Sequence, residues 1–238
     1  MKYKISPSLM CFDLLNIESQ MNILNKYVYS YHLDFIDGIY FKNFCITPPF
    51  IKAMRAKTDA KLDVHMMIVD PFYYMKELVD IGVDCISFHS EKLINEAYRT
   101  ANYLHSNDVE FGVVIAPETT VESIIPYIDQ VDKITVMTEE PGFGGGEYIP
   151  NAIKTIRRLC EIRDEYFLDF KIEVDGVVNK EHFKEYKDAG VDIYILGSRG
   201  LFNLDKDLDK AVNLAIKNIE EAWYKQSRFK CDLGYFYA

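Results

Sequence analysis

The chain has 238 residues, 49% of them hydrophobic, and a formal net charge of −10. That length suffices for one domain with a sizeable core, and the acidic balance with no Lys/Arg-rich run argues against a nucleic-acid or anionic-membrane surface. Five scattered cysteines without a CxxC pair fit neither a zinc ribbon nor a disulfide framework, and point to a reducing, cytoplasmic setting.

The N-terminal "MKYKISPSLMCFDLL" reads as a strand and turn rather than a signal peptide. A strand near 4–9 ends in "SPS" and leaves Ser8 at its tip. The next, near 31–36 in "YHLDFIDG", carries His32 and Asp34 two apart, hence on one face. Runs near 61–67, 84–88, 109–115, 132–137, 170–174 and 191–197 follow, rich in Val, Ile, Phe or Tyr. Amphipathic segments separate them, with Pro71 fit to open a helix and Gly82 and Gly190 fit to cap helix C-termini. No apolar stretch approaches the ~20 residues that span a bilayer.

Eight strand–helix cycles in one chain predict an α/β fold of a single (β/α)8 barrel, the TIM barrel, with an open doubly wound sheet as the competitor. One domain is expected over residues 1–238, with the aromatic segment 229–238 as a C-terminal tail, docked or forming part of an oligomer contact.

Barrel active sites form at the C-terminal ends of the strands. There the sequence offers Ser8, His32, Asp34, His65, His89 and Asp175, with Asp63 and Glu173 two residues before His65 and Asp175. Singly, each has an ordinary structural reading. Asp37-Gly38 and Asp175-Gly176 are turn formers by type, His89 a hydrogen-bonded histidine, and Glu173 a contact at the opposite end. Together, His32, Asp34, His65 and Asp175 form a mixed N/O donor set suited to a divalent ion such as Zn, Mn, Fe or Co. A cation would also offset the cost of burying two carboxylates. Glycine loops after strands 6 and 8, "PGFGGG" and "LGSRGLF", can bring backbone N–H groups close to a phosphate.

The stretches "ISPSLMCFDLL", "HLDFIDG", "LDVHMMIVDP", "ITVMTEEPGFGGG", "IEVDG" and "LGSRGLF" occur in the order of the ribulose-phosphate 3-epimerase family, which the chain resembles over nearly its whole length. "APETTVESIIPYI", "DKITVMT" and Gly200-Leu201-Phe202-Asn203 look closest to its D-allulose-6-phosphate 3-epimerase branch. The resemblance implies a ribulose-phosphate-binding barrel holding one divalent metal on His32, Asp34, His65 and Asp175. It implies Asp34 and Asp175 as the acid/base pair of a two-base proton transfer at C3 through a cis-enediolate, with no organic cofactor. Ser8 and His65 would contact the sugar, and Met67 and Met137 would line the reaction centre. Gly142, Phe143, Gly144, Gly145, Gly176, Gly197, Ser198 and Arg199 would surround the phosphate end. The implied partner is a small-molecule ketose phosphate, and the family's barrels commonly form dimers or larger homo-oligomers.

Four positions depart from the family pattern: Ile36 for a methionine, Gly146 for a glutamine, Val177 for a glycine, and Arg199 for a small residue. Arg199 either adds a fixed charge at the phosphate or faces solvent. Two alternatives stand beside the allulose reading: a ribulose 5-phosphate/xylulose 5-phosphate 3-epimerase, and a phosphosugar-binding barrel without activity. Phosphate-dependent decarboxylases would need a lysine in the strand-end acid cluster, and "HLDFIDG", "DVHMM" and "EVDGVV" carry none.

Overall fold

Eight parallel strands follow one another around a barrel: β1 (Lys4–Pro7), β2 (Ser30–Ile36), β3 (Lys61–Met67), β4 (Cys85–His89), β5 (Glu110–Ile115), β6 (Lys133–Met137), β7 (Lys171–Asp175) and β8 (Ile193–Leu196). They come from a computed structural model that describes residues 3–224, so the tail at 229–238 lies outside the described residues. Closure is made where β1 meets β2, by a parallel bridge between Ser8 and His32 and a 3.0 Å bond from Tyr29 N–H to the Ile5 carbonyl. The barrel, not the open sheet, is the architecture, and strand limits differ from those read in the sequence by no more than two residues.

Helices α1 (Ile17–Leu24), α2 (Pro48–Arg55), α3 (Pro71–Ile81), α4 (Ala97–His105), α5 (Ala152–Glu165), α6 (Phe183–Ala189) and α7 (Leu208–Tyr224) surround the strands. Asp70 caps α3 by accepting from Tyr73 N–H at 3.3 Å, with Pro71 at its first turn, and Gly82 and Gly190 end α3 and α6 in left-handed conformation. One expected cycle differs. Between β5 and β6 the chain makes two short 3₁₀ segments, Val121–Ser123 and Ile125–Gln130, instead of an α-helix. Pro126 lacks the N–H that an α-helical turn needs there. Among the described residues no helix is long and apolar enough to cross a membrane.

Alternation divides each strand into an outer and an inner face. Outward residues such as Leu33, Phe35, Val64, Phe88, Val136 and Val174 pack with helix residues such as Ile51, Leu104 and Ile156 in one apolar cluster. Each fully buried side chain of this kind contributes about 1.5–3 kcal/mol. The inner face is unusually polar: Ser6, His32, Asp34, Asp63, His65, Ser87, Lys133, Thr135 and Glu173 are all buried. The apolar shell stabilises the barrel from outside and leaves the inside free for chemistry.

Candidate active site

Register assembles the centre. β2 and β3 pair so that Asp34 lies beside His65 and His32 beside Asp63, while Asp175 ends β7 opposite Met137 of β6. His32 Nε2 lies 3.3 Å from Asp34 Oδ1 and 3.5 Å from Asp175 Oδ2, and His65 Nδ1 lies 3.4 and 3.8 Å from the same two atoms. Donors about 2.0–2.2 Å from a tetrahedral ion are separated by about 3.3–3.6 Å along each edge. The four side chains therefore have the spacing of a ligand set.

Protonation supports the same fit. His32 Nδ1 points at Asp63 Oδ2 at 3.3 Å, and an ionised carboxylate only accepts, so the proton belongs on Nδ1 and the Nε2 lone pair faces the centre. His65 uses Nε2 toward His89 Nε2 at 3.0 Å, which leaves its Nδ1 facing the centre. Both inward nitrogens are buried without a hydrogen-bond partner. The carboxylates also draw positive charge to this point: burial works against the His32 imidazolium, but Asp34 and Asp175 outweigh it and raise its pKa well above the usual histidine value, so a divalent ion binding at Nε2 would take the place of a proton. Burial likewise opposes the Asp34 carboxylate, and His32 and His65 overcome it to hold the group below the usual carboxylate range. These atoms fit a divalent cation.

Above this centre opens a cavity of about 370 Å³, walled by Asp34 and Asp175 with Ser8, Met67 and Met137. Ser8 Oγ donates to Asp34 Oδ2 at 3.1 Å. Gly142, Phe143, Gly144, Gly145, Gly176, Gly197, Ser198 and Arg199 complete the same wall, so both glycine loops reach one space. His32 and His65 are fully buried and form no part of that wall. Gly142 and Gly176 are needed for two reasons: φ is +100° and +108°, and a Cβ would meet Phe41 or Glu139 and Thr138 under 3 Å away. Arg199 Nη2 donates to the Gly145 carbonyl at 3.4 Å, which ties the strand-8 loop to the strand-6 loop.

The ribulose-phosphate 3 epimerase family model matches residues 4–202, the whole stretch that builds this centre. The chain belongs to that family. A ribulose-phosphate 3-epimerase of Bacillus subtilis is 34% identical over 197 residues, covering 82% of this chain and 90% of the relative. The chloroplastic ribulose-5-phosphate-3-epimerase of Arabidopsis thaliana is 32% identical over 196 residues, covering 82% and 70%. The chain is accordingly an isomerase. A solved 3-keto-L-gulonate-6-phosphate decarboxylase from Vibrio cholerae superimposes with a TM-score of 0.72 over 94% of this chain and 100% of that one, at 13% identity, a likeness of fold alone.

Two residues of this epimerase-family barrel, Lys133 and Glu139, were not picked out from the sequence, and a third, His89, was given only a structural reading there. Lys133 enters the barrel from β6 and contacts both Asp63 and, at 2.6 Å, Glu173 Oε1. Its signal was a lysine two and four residues before Thr135 and Met137, hence on the inner face. It lies at the opposite end from the cavity, and among the described residues no lysine lines the cavity beside Asp34 and Asp175. His89, at the end of β4, is more than a passive histidine: besides meeting His65, its Nδ1 lies 3.5 Å from Glu91 Oε1. Glu139, in "TEEPGF", reaches the cavity wall with its Oε2 buried and unpartnered. Burial, then repulsion by Asp175, pushes its carboxyl up to about 7, against the amides of Gly146 and Gly145 and the charge of Arg199. By contrast, Asp37 is a turn former: Oδ1 accepts from Ile39 and Tyr40 N–H, and Oδ2 from Val69 N–H, each within 2.9 Å.

Proposed function

We propose that this family member is a metal-dependent ketose-phosphate 3-epimerase whose preferred pair is D-allulose 6-phosphate and D-fructose 6-phosphate. The observation that carries the reading is the convergence of Asp34 and Asp175 on one cavity wall above two inward-facing histidine nitrogens. Epimerisation next to a ketone removes the C3 proton on one face of the sugar and returns one on the other, which needs two acid/base groups. Asp34 and Asp175 fill those roles, coming from β2 and β7. Whichever carboxylate takes the proton leaves a cis-enediolate, and the other, protonated, reprotonates C3 from the opposite side. For the reverse reaction they exchange roles.

His32, Asp34, His65 and Asp175 would hold a Zn, Mn, Fe or Co ion, which supplies Lewis-acid stabilisation of the negative charge that develops on the sugar oxygens. The chain's own contribution is orientation. Asp63 fixes the His32 ring through Nδ1, His89 fixes His65 through Nε2, and the Ser8 hydroxyl holds Asp34 Oδ2. Met67 and Met137 give the reaction centre a soft apolar lining, and the loops around Gly142–Gly145, Gly176 and Gly197–Arg199 receive the phosphate.

A second reading, ribulose 5-phosphate as the preferred substrate, is favoured by the names of the relatives at 34% and 32% identity. The allulose reading is supported by "APETTVESIIPYI", "DKITVMT" and the Gly200-Leu201-Phe202-Asn203 ending. Purified, metal-loaded protein in D₂O is expected to exchange the C3 hydrogen of allulose 6-phosphate with a higher kcat/KM than that of ribulose 5-phosphate. The reverse order would select the second reading, and no exchange with either sugar would overturn the epimerase.

A further inference from the structure

Glu139 stands within the proposed anion end of the cavity, and its carboxyl brings the wrong charge there whenever it is ionised. The residue is only 6% exposed, lines the cavity together with Gly144, Gly145 and Arg199, and has a buried Oε2 without a hydrogen-bond partner. The amides of Gly145 and Gly146 face its carboxylate, and Arg199 adds an attractive charge. These are the groups expected to receive a phosphate: backbone N–H groups of a glycine loop and a guanidinium.

Gly146 belongs to the same arrangement. It is not among the glycines with positive φ, so its backbone conformation does not demand glycine. A Cβ there would sit 3.0 Å from Glu139 Oε2, tighter than ordinary contact. The glutamine-to-glycine departure at 146 thus makes room for the Glu139 carboxylate, and the two residues form one local adaptation. At the start of the same loop the Gly142 carbonyl accepts from Asn43 Nδ2 at 2.8 Å, and a Cβ on Gly142 would meet Phe41.

We propose that Glu139 is a specificity-determining residue: its carboxylate stands in for an anion on the Gly145–Gly146 amides, and a substrate phosphate binds there only by displacing it. The inference rests on the proposed phosphosugar substrate for its meaning, but not for its test. Like charges facing one another across a binding site suppress binding strongly, so the residue lowers affinity for phosphate esters relative to what the bare loops provide.

The test is inorganic phosphate binding to the full chain by calorimetry, above the pH at which Glu139 ionises, in wild type and Glu139→Gln, together with kcat/KM for C3 exchange. Removing the charge at constant size is expected to tighten phosphate on the order of tenfold. The kcat/KM for a ketose phosphate should rise by a similar factor, while that for the same ketose without phosphate does not follow. Unchanged or weaker phosphate binding by the variant would overturn the proposal, as would a crystal structure with phosphate on the Gly145–Gly146 amides and the carboxylate unmoved. Should Glu139→Gln not fold, Glu139→Asp draws the charge back by one methylene. It must then bind phosphate more tightly than wild type, and equal or weaker binding counts against the inference. Failure of the epimerase reading looks different: no C3 exchange in wild type or variant, with the phosphate affinities still reporting on Glu139.

Discussion

The upper and lower ends of the barrel interior contain similar groups in opposite electrostatic states. Above, His32, Asp34, His65 and Asp175 bring two carboxylates against two imidazoles. Below, His32, Asp63 and Glu173 form a second set of potential ligands, but Lys133 reaches between its carboxylates. Burial works against the Asp63 carboxylate and the Lys133 ammonium alike, and their mutual attraction overcomes it, holding the acid low and the base high. Ser87 Oγ donates to Asp63 Oδ1 at 3.1 Å, Thr135 Oγ1 joins Lys133 on Glu173 Oε1 at 2.8 Å, and Glu173 Oε2 is left buried without a partner. The lower set thus carries its cation covalently attached, whereas the upper set is shaped to take one from outside. His32 belongs to both, with Nδ1 turned down to Asp63 and Nε2 turned up to the centre.

The comparison can be broken most severely at the top. Asp34→Asn and Asp175→Asn are each expected to lower C3 exchange by at least about 10³-fold, because each removes one of two proton-transfer groups. Far-UV circular dichroism should remain that of the wild type, and substantial activity in either variant would refute that residue's role. At the bottom the expected damage is to stability. Lys133→Met keeps the length and apolar stem but leaves Asp63 and Glu173 buried without their cation, at a cost of roughly 3–5 kcal/mol in urea unfolding. A variant as stable as wild type would mean that the lower network contributes nothing, and the contrast between the two ends would fail.

The upper set was legible because each strand displays its inner face at every second residue, and His32/Asp34, His65 and Asp175 all fall near strand ends. The barrel itself followed from eight strand runs. What one strand cannot show is the height at which it meets a strand three places away. Lys133 begins β6 and Asp63 lies within β3, so only the stagger of the closed barrel brings them into contact. The missing α-helix after β5 traces to Pro126, which a count of strand–helix cycles does not weigh. Glu139 was hidden for another reason: an acid beside a glycine loop looks like a solvated turn until its burial is known.

The link through His32 gives a smaller but sharper test. Asp63→Asn replaces an acceptor-only carboxylate by a weaker neutral partner for Nδ1, which lowers the basicity of Nε2 and loosens the ring. The metal affinity, measured by competition with a chromophoric chelator, should fall by about tenfold. An unchanged affinity would show that the two ends are independent despite sharing a residue.

The smallest expected effect is a pH dependence of stability, and its sign follows from Glu139. Its carboxyl is raised from 4.5 to about 7 on folding, by burial first and Asp175 second. Between those values the folded chain holds a proton that the unfolded chain has released, so this group's contribution is present at low pH and is lost as pH rises toward 7. Urea midpoints of chelator-treated wild type should therefore decline relative to Glu139→Gln across that window, since the amide does not titrate. Lys133 and Asp63 stay charged throughout, and the Glu173 carboxyl, which burial raises to about 7 against the pull of Lys133, titrates alike in both proteins and cancels from the difference. Parallel curves for wild type and variant would mean that Glu139 is ionised on the loop amides across the whole range. The upper end, which awaits a cation, would then hold one further uncompensated anion, while the lower end keeps Lys133 between its two acids.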